Sequence, residues 1–321
     1  MTTLDFAAPV QALIPDVEER MRSQADGYRP ELRTALDQLL ASGGKRVRPT
    51  VALLVSAMLG VDEERAITLA AAVELLHTAT LVHDDFIDGA LLRRGSPTLN
   101  AQWNPSATVL AGDFLFSQAA SLAAEVDSID VMRMFASTLS TIVDGEIGQV
   151  FSLNGPSTRD EYYERIYAKT ASMFELAARA PAYLSPAGEG LGDALMVYGR
   201  EIGMAFQIVD DILDFASDTD TIGKPAASDL RQGLLTLPSL HYLEAHPDNQ
   251  DIILLQQNQL DDKDRIETLI EEIRSSGAMQ RAHAEGEAHR QKALNALESL
   301  PDTPERQALA DLAAYVTARL H

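Results

Sequence analysis

The residues most suited to chemistry are three aspartates in the stretch HDDFIDGALLRRG: Asp84, Asp85 and Asp88. On a helix, residues i and i+4 share a face, so Asp84 and Asp88 point the same way with Asp85 alongside. Apolar residues flank the three carboxylates: Leu81, Val82, Phe86 and Ile87. Like charges in a partly apolar place repel each other and favour a bound cation. All-oxygen ligands suit a hard ion such as Mg²⁺, which also takes phosphate oxygens and water.

The same spacing recurs in QIVDDILDF, which contributes Asp210, Asp211 and Asp214. The two motifs are 210 − 84 = 126 residues apart, so two distinct helices could face each other across a cavity. One such motif arises by chance on many helix surfaces, and the DDKD stretch at 261–264 is interpreted as a solvated face because its neighbours are polar. Two copies embedded in apolar helices are hard to explain by solubility, so we predict a metal site.

Basic residues lie close to the first motif and in a glycine-rich loop. Arg93 and Arg94 follow the first motif, and GGKRVRP places Lys45, Arg46 and Arg48 before or near the start of a helix. Such a loop can offer backbone N–H groups to phosphate, although GGKRVRP alone is more often a surface loop. Two further candidates are Lys169 and Lys224. Together with the carboxylates, these cations suggest a polyphosphate substrate held by metal on one side and by Arg and Lys on the other.

Composition excludes several classes of protein. The 321 residues carry 26 Lys plus Arg against 48 Asp plus Glu, a formal charge of −22, which disfavours general binding of nucleic acid or anionic lipid. There are no cysteines, so thiolate metal sites and cysteine nucleophiles are excluded. We expect no signal peptide, because the first stretch, MTTLDFAAPVQALIPDVEER, lacks a basic region followed by an apolar run. We expect no membrane span, because residues 66–82, the most apolar stretch, carry Glu74 and His77. The expected location is cytoplasmic.

The elements that must position these side chains are helices. Apolar residues make up 46% of the chain and aromatic residues only 6%, and β-type alternation is scarce. Stretches 66–82 and 202–215 are apolar nearly all round and are predicted at the centre of a bundle, whereas 245–290 is more polar and predicted to be peripheral. We predict one all-α domain over 1–321. Its clearest helices are predicted at about 50–59, 63–88, 106–125, 128–152, 160–180, 190–216 and 304–320.

Seven segments, in order, resemble the trans-isoprenyl diphosphate synthases, also called polyprenyl synthetases. The segments are GGKRVRP, LLHTATLVHDDFID with RRGSPT, AGDFLFSQA, DGEIGQ, YAKTASMF, GMAFQIVDDILDF and GKPAASDLRQGLLTLP. The resemblance implies an isoprenoid-synthase-type helical bundle around a large central cavity. It implies head-to-tail condensation of isopentenyl diphosphate with an allylic diphosphate. It also implies a homodimer and roughly two or three Mg²⁺ ions per active site.

The resemblance also assigns roles residue by residue. The metal ligands would be Asp84, Asp85, Asp88, Asp210, Asp211 and Asp214, with Asp211 acting mainly through a water or a neighbour. The allylic diphosphate would be held by Arg93, Lys169 and Lys224. Isopentenyl diphosphate would be held by Lys45, Arg48, His77 and Arg94. Thr170 and Gln207 would line the reacting centre, and His83 is expected to be a hydrogen-bonded core residue. One departure is Leu234, where relatives often have lysine.

Product length is predicted from the helix that carries the first motif. Ala79 and Thr80 lie one turn before Asp84, where short-chain relatives commonly have an aromatic residue. Both are small here, so we predict a product longer than farnesyl, of C20 or more. Leu76 and Val73 lie further along the same face, and Met134 and Phe135 on another helix could form a deeper floor.

Several alternatives stay open at this stage. A short-chain farnesyl synthase is one, in which case the interpretation of Ala79 and Thr80 would be wrong. A terpene cyclase or a head-to-head synthase is disfavoured by the two D-D-x-x-D copies and the GGKRVRP loop. A non-catalytic subunit of a heteromeric synthase would usually lack these aspartates or arginines. A structural or Ca²⁺-binding protein would explain the carboxylates but not the basic residues.

Overall fold

The computed structural model describes residues 5–152, 158–216, 226–257, 259–260 and 262–319. The chain is almost wholly helical over this part, as predicted, with a short antiparallel ribbon that pairs β1 (Leu92–Arg93) with β2 (Ser96–Pro97). It divides into two compact units. Unit 1 comprises 1–137, 173–199 and 296–312, and unit 2 comprises 138–172, 200–295 and 313–321. The organisation as one domain remains a prediction.

The helices have the following bounds. They are α1 Ile14–Arg22, α2 Pro30–Ala41, α3 Val47–Met58, α4 Glu63–Ile87, α5 Leu99–Gln102, α6 Pro105–Glu125, α7 Ile129–Ser152, α8 Arg159–Ile166, α9 Ser172–Arg179, α10 Gly192–Ala216, α11 Ser228–Arg231, α12 Leu237–Ala245, α13 Gln250–Gln256, α14 Lys263–Ser275, α15 Ala278–Leu297 and α16 Pro304–Ala318. A π-helical segment, Tyr167–Ala171, joins α8 to α9, and 3₁₀ turns lie at Asp5–Ala7, Gln11–Leu13, Ser23–Ala25, Ala180–Tyr183 and Pro186–Gly188.

Local sequence signals explain where the site helices begin. Asp62 caps α4 by accepting a hydrogen bond from the backbone N–H of Arg65. Asn104 does the same for α6, with Pro105 at the first helical position. At α8, Thr158 and Glu161 form a capping box. Each device satisfies N–H groups that the first helical turn leaves without a partner, so the chain enters these helices at defined residues.

Unit 1 is built around α4. Leu69, Val73, Leu75 and Leu76 of this helix are at most 1% exposed, and α3 adds a second apolar helix beside it. Helix α6 approaches α4 closely at Gly112, where a Cβ atom would lie 2.2 Å from the His83 Nε2 atom. Since that space is already filled by the imidazole, only glycine permits this approach. The packing fixes the part of α4 that carries the first aspartate motif.

Unit 2 has its own core around α10. Ile208, Phe215, Leu235 and Ile273 are fully buried in it, together with Tyr162. The polar stretch predicted to be peripheral does form helices, and their apolar faces join this core: Ile252, Leu255, Leu269 and Ile270. Because one face of each helix is apolar, high overall polarity does not keep these helices out of the core.

Two helices, α4 and α6, are long and apolar enough to cross a membrane by length and composition alone. In α4, 78% of the most apolar window is buried inside the protein, which is typical of a core helix. In α6 the corresponding share is 39%. The expectation that no segment spans a membrane remains a prediction.

Candidate active site

The first half-site, in unit 1, contains Asp84, Asp85 and Asp88 at the end of α4. Asp84 and Asp85 are buried, at 9% and 5% exposure, and α4 ends at Ile87, one residue before Asp88. Asp88 is the exposed C-cap residue, and its N–H still donates to the Asp84 carbonyl at 2.8 Å. The turn is therefore helical as far as Asp88, so the predicted i, i+4 relation of Asp84 and Asp88 is retained.

Arg93 lies against this motif, as the sequence suggested. Its Nε atom donates to both Asp85 oxygens, at 2.9 and 3.0 Å, and its Nη2 atom lies 2.8 Å from Oδ1. A planar guanidinium matched to a carboxylate in this way is a strong, oriented pair. Arg94, with φ of 52°, turns away from the motif and donates to the Gly43 carbonyl. Two adjacent arginines thus have different partners.

The basic loop, GGKRVRP at 43–49, carries two of the four residues predicted to bind isopentenyl diphosphate. Lys45 is exposed, and the Arg48 guanidinium carbon lies 4.8 Å from the centre of the Phe174 ring. His77 on α4 is partly buried, and its Nδ1 atom has no hydrogen-bond partner among the described residues. Burial lowers the pKa of His77 well below 6.5, and four arginines, led by Arg48, lower it further. His77 is therefore neutral at pH 7.

The predicted chain-length residues are all buried on α4. Leu76 and Ala79 are fully buried, and Thr80 is 7% exposed with its hydroxyl donating to the His77 carbonyl at 2.7 Å. Phe135 is 2% exposed, whereas Met134 is half-buried. His83 is hydrogen-bonded as expected, with its Nε2 atom 3.1 Å from the Val109 carbonyl oxygen, but its side chain is 25% exposed and so lies at the edge of the core.

The second half-site, in unit 2, contains Asp210, Asp211 and Asp214 in the last turns of α10. The Asp210 Oδ1 atom accepts from Arg319 Nη2 at 2.5 Å, and the Arg319 guanidinium carbon lies 4.8 Å from the Phe206 ring centre. Asp214 accepts from the backbone N–H of Asp229 at 3.3 Å. Arg274 donates to the Phe215 carbonyl and so holds the C-terminal end of the helix.

Asp211 is the most buried member of the second motif, at 4% exposure. Its Oδ2 accepts from the Tyr162 hydroxyl at 2.7 Å, and its Oδ1 accepts from Gln207 Nε2 at 2.8 Å. Burial raises the pKa of Asp211 to about 8, and nearby Asp229 acts in the same direction. These two donors oppose the shift but do not cancel it, because neither carries a charge.

Thr170 and Gln207, predicted to share the reacting centre, are in contact. The Thr170 hydroxyl donates to Gln207 Oε1 at 2.7 Å, which orders the amide so that its Nε2 atom faces Asp211. Lys169 Nζ lies 2.8 Å from Glu146 Oε1. Both Lys169 and Thr170 belong to the π-helical segment, which interrupts the continuous helix predicted over 160–180. Such wide turns occur most often at functional sites.

Some predicted residues receive less structural support. Lys224 lies outside the described residues. Leu234 is partly buried and its N–H donates to the Asp229 carbonyl at 3.0 Å, so this position is held by its backbone. Among the described residues, no three His, Asp or Glu side chains are arranged to hold a metal ion by themselves.

Sequence reasoning missed the partners of the predicted residues. Those partners are Tyr162 and Arg319 at the second motif, Glu146 at Lys169, and Glu74 with Arg46 in the first half-site. The one available signal was Glu74, a carboxylate in the most apolar stretch of the chain. The other partners lie far from the motifs in sequence, where no local pattern marks them.

Comparison with known proteins gives matches over nearly the whole chain. The sequence profile of the polyprenyl synthetase family matches residues 29–273. Octaprenyl diphosphate synthase from Escherichia coli is 36% identical over 283 residues, 88% of each chain. The crystal structure of a decaprenyl diphosphate synthase from Rhodobacter capsulatus superimposes with a TM-score of 0.91 at 32% identity, over 98% of each chain. A polyprenyl synthase from Caulobacter crescentus, complexed with calcium and isoprenyl diphosphate, gives 0.89 at 32%, over 98% of this chain and 97% of that one.

These matches identify an all-helical enzyme that transfers prenyl groups. The chain belongs to the polyprenyl synthetase family. The predictions of fold class, enzyme class and family are thereby confirmed.

Proposed function

We propose that this enzyme condenses isopentenyl diphosphate with an allylic diphosphate and repeats the step to a product longer than C20. The observation that carries the proposal is the first half-site, where buried Asp84 and Asp85 adjoin Arg93, with the basic loop in the same unit. Carboxylates for a metal and arginines for phosphate are the two halves of a diphosphate site.

The donor set fits Mg²⁺. Its proposed ligands are carboxylates of the two motifs, which supply only oxygen, and diphosphate oxygens and water would complete the coordination. When bound, Mg²⁺ supplies Lewis-acid stabilisation of the negative charge on the leaving diphosphate. Arg93, Lys169 and Lys224 would donate hydrogen bonds to the same oxygens. The Caulobacter relative was crystallised with calcium and isoprenyl diphosphate, which supports this pairing of cation and substrate.

The reaction requires no side-chain nucleophile. The allylic C1–O bond breaks and its electron pair leaves with diphosphate, which produces an allylic cation. The double bond of isopentenyl diphosphate attacks that carbon, a C–C bond forms, and a proton leaves C2 to the released diphosphate. Gln207 and Thr170, joined at 2.7 Å, would present their dipoles to the developing positive charge. The apolar helices around both motifs would exclude the water that traps such a cation.

Lys45, Arg48, His77 and Arg94 would hold the diphosphate of isopentenyl diphosphate. His77, neutral at pH 7, would donate one hydrogen bond without adding charge. The other three are cations and supply the charge.

Small, buried side chains on α4 support a long product. Ala79 and Leu76 are fully buried, and neither Ala79 nor Thr80 is large enough to block a chain that grows along α4. The relatives from Escherichia coli and Rhodobacter capsulatus make octaprenyl and decaprenyl products by name. Replacing Ala79 with Phe should shorten the product, with Ala79→Ser as the size-matched control. An unchanged product distribution in Ala79→Phe would refute this steric explanation.

A homodimer in the cytoplasm completes the proposal. Helix α6 is apolar yet less than half buried, and Leu110 on it is 64% exposed, as is Ile129 at the start of α7. A second copy of the chain would cover such a surface. Light scattering after gel filtration should give twice the 34.8 kDa chain mass.

The decisive assay combines the purified chain, isopentenyl diphosphate and Mg²⁺ with dimethylallyl, geranyl, farnesyl or geranylgeranyl diphosphate, and sizes the products by mass spectrometry. A ladder ending beyond C20 is expected, and none should form with excess EDTA. Farnesyl as the sole product would keep the class and refute the product length. Cyclic hydrocarbons, or no turnover with any primer, would refute the proposed reaction.

A further inference from the structure

Arg46, the arginine at the centre of the basic loop, is bonded to other residues of the chain. Arg46 Nε donates to Glu18 Oε1 at 2.9 Å, Nη1 donates to Glu74 Oε1 at 2.9 Å, and Nη2 donates to the Leu40 carbonyl at 3.1 Å. Its side chain is 11% exposed. All three guanidinium nitrogens are engaged, so Arg46 does not compete with Lys45 and Arg48 for an incoming diphosphate.

Glu74 is the buried partner of this arrangement. Its side chain is 6% exposed, on a stretch of α4 that is otherwise apolar. A carboxylate in such a place is tolerated only when it is paired and hydrogen-bonded. Glu74 lies one helical turn before His77, so the two side chains leave the same side of α4. The ion pair therefore joins the loop to the segment of α4 that carries a predicted substrate ligand.

The backbone of the loop shows the same constraint. Arg46 has φ of 46° and ψ of 37°, a left-handed conformation that residues other than glycine rarely adopt, and it is the residue before α3 begins. A Cβ atom at Gly44 would lie 3.1 Å from Arg94 Nη1 and 3.3 Å from Arg46 Nη1. The loop is thus closely packed between two guanidinium groups. Its geometry is set by where Arg46 is held.

We propose that Glu74 and Arg46 are positioning residues for isopentenyl diphosphate, which they do not touch. Their ion pair fixes Lys45 and Arg48, on either side of Arg46, relative to His77. This assignment rests on the proposed function, since it takes the basic loop as the isopentenyl diphosphate site. Loss of the pair should weaken that substrate selectively, because Arg93, proposed to hold the allylic diphosphate, is held by a different carboxylate, that of Asp85.

The test measures binding and turnover separately. Isothermal titration of isopentenyl diphosphate without Mg²⁺ is compared for the wild type, Glu74→Gln, Arg46→Met and the double variant. Each single variant should weaken binding by roughly tenfold or more, and the double variant should be no weaker than the worse single one, because the residues act as a pair. The double variant also removes the unpaired buried charge, so it keeps the test valid if a single variant fails to fold.

Turnover must show the same selectivity. The KM for isopentenyl diphosphate should rise by a similar factor, while the KM for the allylic diphosphate stays within about twofold. Arg46→Lys keeps the charge, but a lysine cannot reach three partners at once. Its affinity for isopentenyl diphosphate should therefore stay below that of the wild type, as in Arg46→Met. The exposed pair Arg20 and Glu125 provides matched controls, Arg20→Met and Glu125→Gln, which should leave both KM values unchanged.

Three outcomes would overturn the inference. If Arg46→Met abolishes binding and Glu74→Gln does not, Arg46 is a direct ligand. If both KM values rise together, or only the melting temperature falls, the pair is structural. If the wild type binds no isopentenyl diphosphate, this inference fails together with the proposed function. A wild type that binds isopentenyl diphosphate but turns over no primer refutes the proposed reaction alone, and the titrations still decide the role of the pair.

Discussion

The middle aspartates of the two motifs, Asp85 and Asp211, occupy equivalent places in the D-D-x-x-D pattern but have different partners. Asp85 is paired with a cation, the guanidinium of Arg93. Asp211 is held by two neutral donors, Tyr162 and Gln207. The difference shows that one sequence pattern can be stabilised either by charge neutralisation or by hydrogen bonding. Without a paired cation, burial raises the pKa of Asp211 to about 8, so hydrogen bonding alone does not keep this carboxyl fully ionised at pH 7.

The partners also differ in their distance along the chain. Arg93 is 8 residues from Asp85, whereas Tyr162 is 49 residues from Asp211 and Arg319 is 109 residues from Asp210. The partner of the first motif is therefore local in sequence. The second half-site is assembled from distant segments of the chain.

The largest expected effect comes from replacing the first aspartate of each motif. Asp84→Asn and Asp210→Asn should each lower kcat by roughly a thousandfold or more, because each removes a charged oxygen ligand from the metal. Steady-state kinetics at saturating Mg²⁺ measures this. Asp264→Asn, in the exposed DDKD stretch, is the matched control and should leave kcat unchanged. If only one of the two variants loses activity, the motifs do not share the metal-binding role.

A smaller effect is expected from the cation of the first motif. Arg93→Met removes the guanidinium that pairs with Asp85 and that would donate to the allylic diphosphate. The kcat/KM for the allylic substrate should therefore fall by about a hundredfold. The KM for isopentenyl diphosphate should change little. An equal rise in both KM values would show that Arg93 serves the first half-site as a whole.

Replacing the neutral partner of the second motif should have a weaker effect again. Tyr162→Phe removes one hydrogen bond to Asp211 and should lower the free energy of unfolding by about 1–3 kcal/mol. The loss in kcat should be no more than roughly tenfold. Urea unfolding gives the first quantity, and Tyr28→Phe, on a ring that is 55% exposed, is the control. A loss in kcat as large as that of Arg93→Met would contradict the distinction between the motifs.

The smallest effect is a pH dependence from His77 in the first half-site. Its pKa is lowered on folding, so between that pKa and about 6.5 the unfolded chain binds more protons than the folded one. Stability from this group is complete above pH 6.5 and is lost as the pH falls towards the folded pKa. The slope of unfolding free energy against pH should approach about 1.4 kcal/mol per pH unit at most, and His77→Gln should reduce it. Equal slopes in both proteins would show that neither burial nor the neighbouring arginines lower the pKa of His77.

Much of the fold and of the site residues was predictable from sequence. The helix that carries the first motif was expected over 63–88 and spans Glu63–Ile87, because capping and apolar patterning are local signals. Family resemblance placed Thr170 and Gln207 at one reacting centre, and the hydrogen bond between them is what the structure adds. The ion pairs of Arg46 with Glu74 and Lys169 with Glu146 were not predictable, since each depends on tertiary packing that no single segment encodes.

The π-helical segment Tyr167–Ala171 has a consequence for how this chain tolerates insertions and deletions. A single wide turn accommodates an extra residue, so everything after it is rotated by about 100° relative to an uninterrupted α-helix. Deleting one residue there would give a more regular helix and would rotate the Thr170 hydroxyl away from Gln207 or the Lys169 ammonium away from Glu146. In this segment an insertion or deletion of one residue therefore changes the direction of the side chains that follow, and not only their sequence numbers.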